Sequence, residues 1–184
     1  LQPPPSQMAD QPLEGRVLYT DASSATNTAA VVWEEGGQWQ KVTVTLADLS
    51  VQSLEARAME IALQIFPEEP CNIVTDSQFV ASLMRKMFLP GWAGTPLAIR
   101  LHAALQQRRA PCFVIKVASH TPTDKGLFLG NRKADEAAKG IWTLSEAQRL
   151  HRELHLGAKA LAQTCKIPLP QARQVVATCP CCQS

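Results

Sequence analysis

Three runs near the start of the chain have the apolar, β-branched make-up of strands. VLYTDA from Val17, TAAVVWEE from Thr28 and GQWQKVTVTL from Gly37 follow one another closely, and Glu35-Gly36-Gly37 between the last two is a hairpin signal. They predict three antiparallel strands. In SVQSLEARAMEIALQIF the period changes, because Leu54, Ala58, Ile61, Ala62 and Ile65 recur at helical spacing, with Ser50 or Ser53 available as N-cap. This predicts an amphipathic helix that carries Glu55 on the shoulder of its apolar face. CNIVTD reads as a fourth strand and SQFVASLMRKM as a second helix. After the break at LPGWAGTP, AIRLHAALQQRR reads as a third helix and CFVIKVAS as a fifth strand. The loop HTPTDKGLFLG then leads into NRKADEAAKG, a short helix expected to be capped by Asn131 and closed by Gly140.

A strand, a helix and another strand make a crossover, so the fourth strand should lie parallel to the first. The expected fold is α/β, a five-stranded mixed sheet flanked by helices on both faces. Residues 1–14 hold several prolines and no apolar period, which suits a flexible lead-in. Residues 15–142 would form the main domain and 143–184 a second, smaller one.

Composition changes this picture in two places. At 46% hydrophobic residues the chain can bury a core, and no apolar run approaches the roughly 20 residues of a membrane span. The start of the chain also lacks the layout of a secretory signal, so the expectation is an intracellular protein, not secreted and without a membrane partner. A net charge of +2 does not by itself announce a nucleic-acid binder. The tail, however, has more bases than acids, and it holds Cys165, Cys179, Cys181 and Cys182 close together. Cys71 and Cys112 lie in apolar strand runs, where a small buried hydrophobe is the default.

The candidate chemistry begins with a misplaced carboxylate. Asp21 sits at the end of a core strand, where an acid costs several kcal/mol unless it is paired or metal-bound. Asp76 ends the fourth strand in the same way, and parallel neighbours would bring both acids to the carboxyl end of the sheet, where open α/β sheets hold their sites. Glu55 on the packing helix and Asp135 on the last helix can reach the same point. Four carboxylates raise one another's pKa unless divalent cations offset the charge, and all-oxygen donors match Mg²⁺ or Mn²⁺. Two such ions roughly 3.5–4 Å apart can clamp the attacking water and leaving oxygen of a phosphodiester.

YTDAS, LEARA, VTDSQF and SH followed by GNRKAD resemble, in order, the four motifs of the ribonuclease H family over about residues 16–142, most closely those of retroviral Pol of the avian sarcoma and leukosis type. The resemblance implies a ribonuclease H-like fold, with Asp21, Glu55, Asp76 and Asp135 as ligands of two Mg²⁺ or Mn²⁺ ions. It implies that His120 is an auxiliary catalytic histidine that helps product leave or shuttles a proton, and that Gln78 touches the minor groove of the nucleic acid. It further implies hydrolysis of the RNA strand of RNA:DNA hybrids, where 2′-hydroxyls in a wide minor groove distinguish RNA from DNA. His102, on a helix with apolar neighbours, reads as structural. One departure stands out: bacterial-type members grip the hybrid with a basic helix and loop, whereas here the segment is FLPGWAGTP. Phosphate contacts supply most hybrid affinity, so the polymerase portion of Pol is the expected source of the missing grip.

In the tail, His151 and His155 stand at i and i+4 of a helical stretch, and Cys179 and Cys182 form a C-x-x-C. Two imidazoles and two thiolates at these spacings suit one closed tetrahedral Zn²⁺ site, in a segment too short to form a core unaided. Cys165 and Cys181 read as bystanders, and a zinc-thiolate site implies a reducing compartment. The tail is similar to the N-terminal HHCC zinc-binding domain of retroviral integrase, a small all-α module. That resemblance implies self-association and nucleic-acid assembly rather than chemistry, alongside other integrase and polymerase portions of Pol, in a virion or in host cytoplasm or nucleus. The order of the two modules is that of Pol, and the join near residues 141–145 is where a viral protease would cut. The alternative reading is a host-domesticated nucleic-acid-binding or assembly protein with an idle nuclease site. Four retained acids argue against it. A DNA-cutting relative of the same fold is disfavoured by the histidine loop that precedes the fourth acid.

Overall fold

The computed structural model describes residues 8–92, 94–118, 126–140, 148, 151–152, 155–165 and 168–179. The chain divides into two compact units, Leu1–Lys139 and Gly140–Ser184.

In the first unit, β1 (Arg16–Ser23), β2 (Thr28–Glu35) and β3 (Gln38–Thr45) form the expected antiparallel meander. Gly36 and Gly37 both take positive φ in the tight β2–β3 turn, a conformation that costs glycine little. The α1 helix (Val51–Ile65) is capped by the Ser50 hydroxyl, which accepts from the Ser53 N–H at 3.1 Å. It leads to β4 (Cys71–Thr75), which pairs parallel with β1. The α2 helix (Gln78–Lys86), α3 (Pro96–Gln106) and β5 (Cys112–Lys116) follow, and β5 is parallel to β4. The sheet order is β3-β2-β1-β4-β5.

Both faces of the inner strands are buried, and successive side chains divide the core between the two faces. Leu18, Val31, Cys71, Ile73 and Cys112 join α1, α2 and α3 on one face. Tyr19, Ala30, Val32 and Val74 join α4 (Leu127–Ala138) on the other. Here the structure corrects the reading of residues 127–140. The helix begins at Leu127, a full turn before Asn131, because Leu127 and Phe128 pack onto the sheet and Gly126, at φ +61°, turns the chain into it. Asn131 is therefore not a cap; it is buried within α4, and its Oδ1 has no hydrogen-bond partner among the described residues. Gly130 lets the helix approach closely, since a Cβ at that position would overlap the Tyr19 ring.

The sheet also extends into the stretch expected to be a tether. Met8 bridges in parallel to Cys112, Ala9 N–H donates to Cys112 O at 2.8 Å, and the Asn72 side chain bonds both the N–H and the carbonyl of Leu13. Residues 1–7 lie outside the described residues. In the second unit, α5 (Ala158–Cys165) and α6 (Leu169–Ala177) pack through Leu161, Cys165, Ala172 and Val175. Among the described residues no helix is long and apolar enough to cross a membrane.

Candidate functional site

The register of β1 against β4 sets Tyr19 opposite Val74, so Asp21, two residues on in β1, and Asp76, directly after β4, arrive together at the carboxyl edge. The side-chain alternation puts both on the face that α4 covers, because Tyr19 and Val74 belong to that core. Asp135 comes from α4 itself. Glu55 comes from α1 on the other face and reaches around the strand ends, where the Ser77 hydroxyl donates to its carboxylate.

Electrostatics tie these acids together. Asp21 is 8% exposed, and its Oδ1 accepts from the Ala22 N–H at 2.8 Å. Burial, reinforced by the charges of Asp76 and Asp135, pushes its pKa up to about 8, and the Ala22 N–H only partly opposes this. Burial and the Asp76 charge also raise Glu55, while the Ser77 hydroxyl lowers it. Asp135 is held from outside by Lys139, whose Nζ stands 3.0 Å from Oδ2 one turn later on the helix. Among the described residues no three His, Cys, Asp or Glu side chains converge closely enough to form a ready metal cage. Asp21 and Asp135 nonetheless approach closely enough for a side-chain hydrogen bond between them, which also raises Asp21.

The donor set still fits a hard divalent cation. Every group is a carboxylate, Asp21, Glu55 and Asp135 on a strand or helix and Asp76 directly after β4, and oxygen donors of this kind suit hard cations. Gln78 is the first residue of α2 and is solvent-exposed. His120 lies outside the described residues. His102 packs against Phe88, with ring centroids 5.7 Å apart. Ser77 escaped the sequence reading. It caps α2 by accepting from Val80 N–H at 3.1 Å while it donates to Glu55, and a serine directly before a helical run was the available signal.

In the second unit, His151 is 2% exposed and its Nδ1 lies 2.7 Å from the carbonyl oxygen of Leu156. That contact favours a proton on Nδ1 and leaves the ring's lone pair on Nε2. His151 and Cys179 line one cavity of about 160 Å³ together with Gln148, Arg152, Val175 and Thr178. The His155 ring is 6.2 Å from that of His151, centroid to centroid, and its backbone has turned to φ +52°. The structure thus brings two imidazoles and one thiol into one small region. Cys182 lies outside the described residues.

Comparison with known proteins agrees with this division. Residues 14–142 match the family model for RNase H, and residues 147–184 match that for the integrase zinc-binding domain. The chain is 43% identical over 179 residues to the Gag-Pol polyprotein of Rous sarcoma virus subgroup B (strain Schmidt-Ruppin), covering 97% of this chain and 11% of that protein. It is 29% identical over 175 residues to the Gag-Pro-Pol polyprotein of Simian retrovirus SRV-1, covering 85% of this chain and 10% of the relative. A retrovirus-related Pol polyprotein of Gallus gallus is 46% identical over 81 residues, 44% of this chain and 32% of its own length. The chain thus spans about a tenth of the length of its viral relatives.

Proposed function

The chain belongs to the RNase H family and continues into an integrase-type zinc-binding segment, and from that premise we propose that its first unit is a two-metal endonuclease hydrolysing the RNA strand of RNA:DNA hybrids. The observation that carries this reading is the parallel register of β1 and β4, which brings Asp76 and the buried Asp21 to one edge of the sheet, with Asp135 of α4 acting on Asp21 there. A carboxylate cluster of this kind suits divalent cations.

In this proposal Asp21, Glu55, Asp76 and Asp135 hold two Mg²⁺ or Mn²⁺ ions. The ions supply an activated water and stabilise the leaving oxygen. Ser77 orients Glu55 by its hydroxyl, and Lys139 pairs with Asp135 from the next turn of α4. His120 would assist release of product or carry a proton, and Gln78 would touch the minor groove from the exposed start of α2. In the tail, His151, His155, Cys179 and Cys182 would hold one structural Zn²⁺ in a module for self-association and nucleic-acid assembly. Domain limits at residues 15–142 and 143–184, polymerase and integrase portions of Pol as partners, and an intracellular place of action in a virion, host cytoplasm or nucleus belong to the same reading.

The test is cleavage of a labelled RNA:DNA hybrid in Mg²⁺, Mn²⁺ or EDTA, with single-stranded RNA and duplex DNA as controls. The expected outcome is metal-dependent cutting of the hybrid RNA alone, with Asp76→Asn slowed by about a hundredfold or more. Folded, zinc-loaded protein that binds hybrid without cutting it would instead support the domesticated assembly protein with an idle nuclease site.

A further inference from the structure

At the amino end of β4 and β5, far along the sheet from the acids, three sulfur-bearing residues form one transverse row. Met8 bridges in parallel to Cys112, and Cys112 is the register partner of Cys71 on β4. All three face the core formed with α1, α2 and α3. Cys71 and Cys112 are completely buried in it, and Met8 packs against it. Adjacent strands stand about 4.8 Å apart, so side chains of one direction in such a row can meet. Met8 Sδ lies 3.8 Å from Cys112 Sγ. Three sulfurs bonded at about 2.3 Å to one ion in a trigonal plane stand about 4 Å from one another. Neither cysteine is in a disulfide.

The second observation is Arg108. It is 2% exposed, and among the described residues no carboxylate pairs with it. Its terminal nitrogens donate to the carbonyls of Leu63 at 2.9 Å, Phe66 at 3.1 Å and Glu69 at 2.7 Å, while its Nε has no acceptor among the described residues. It lies near both thiols. Burial pushes Cys71 up and Cys112 up to about 11, and in each case the Arg108 charge pulls the other way. A buried guanidinium thus sits between the carbonyls at the end of α1 and the Cys71 and Cys112 thiols, with the Glu69 carboxylate also acting on Cys71.

We propose that Cys71, Cys112 and Met8 form a three-sulfur site for a soft monovalent cation of the copper(I) class, with Arg108 as its charge partner. As the ion binds, each thiol releases one proton to solvent and its sulfur donates a lone pair. No electron is transferred. Two thiolates, one monovalent cation and the Arg108 guanidinium sum to zero, as a buried site demands. A divalent ion would leave an uncompensated charge, and hard cations prefer oxygen. Met8 completes the set as a neutral, soft donor. It is also the entry point, because it is only partly buried at the free edge of β5.

The test uses the full chain, zinc-loaded and anaerobic, with copper(I) supplied from a coloured copper(I) chelator. The tail cysteines also attract copper, so the readout is a difference. Wild-type protein is expected to take up one copper(I) more per chain than Cys112→Ser. Met8→Leu, which preserves volume at an edge position, is expected to weaken that uptake about tenfold or more with an unchanged thermal midpoint. Equal uptake by wild type and a cooperatively folding Cys112→Ser would overturn the site. If Cys112→Ser does not fold, Met8→Leu decides, and unaltered copper affinity in that variant would equally overturn it, leaving the row as ordinary core packing.

Discussion

The two units stand in opposite relations to the metals proposed for them. In Leu1–Lys139 the core is built from residues that take no part in the site: Leu18, Leu54, Met59, Ile73, Met84 and Leu105 are all fully buried. The acids are mounted at its margin, and their mutual repulsion is a cost that the core bears and that the proposed cations would offset. In Gly140–Ser184 the described core amounts to Leu161, Cys165, Ala172 and Val175, and the proposed ligands His151 and Cys179 are themselves among its buried residues. Chains of this size usually need a metal, disulfides or a partner to fold. One unit thus supports its site, and the other is supported by it.

Removing zinc is the most severe way to break that contrast. Treating the protein with a zinc chelator should abolish amide protection throughout α5 and α6 while leaving protection in the five strands intact. Hydrogen exchange resolved by segment would show it, and a tail that stays protected without zinc ends the comparison.

Next in size is a pH effect confined to the first unit. The folded pKa of Asp21, about 8, lies above the value near 4 of an unfolded aspartate. Folded protein keeps a proton that the unfolded chain has released. Stability of magnesium-free, zinc-loaded protein should therefore be greatest below about pH 4 as far as this group is concerned. It should decline by on the order of a few kcal/mol up to about pH 8 and level off above. Glu55, also raised, adds to the same slope. Saturating Mg²⁺ should flatten it, as urea midpoints measured across this range would reveal.

A smaller effect tests the mount alone. Gly130→Ala drives a methyl group into the Tyr19 ring and should lower the unfolding free energy by about 1–3 kcal/mol. Because α4 carries Asp135, hybrid cleavage should fall even at temperatures where the variant is fully folded. The mildest change is Ser77→Ala, which removes both the α2 cap and the donor to Glu55 and should cost about 1 kcal/mol. Thermal melts of the two variants place them in this order, and neither should alter the tail.

Much of the first unit was legible because its pattern is local. The apolar run within Thr28–Glu35, the Gly36-Gly37 turn and the helical spacing of Leu54, Ala58, Ile61 and Ala62 each name an element without help from distant residues. The crossover from β1 through α1 to β4 then implied parallel neighbours, and so the approach of Asp21 to Asp76. The start of α4 was hidden because Gly130-Asn131 looks like a helix boundary, and only the packing of Leu127 and Phe128 on the sheet shows that the helix has already begun.

What the sequence determined by itself, then, is the order of elements, the faces they bury and the residue types available for chemistry, since periodicity and turn propensity act over a few positions. Tertiary structure decided the depth at which Asp21 is buried, the reach of Ser77 to Glu55, the pairing of Met8 with Cys112 and the inward turn of Arg108. Those depend on strand register and on the desolvation of groups far apart in the chain, and neither quantity exists until the sheet and its helices have closed on one another.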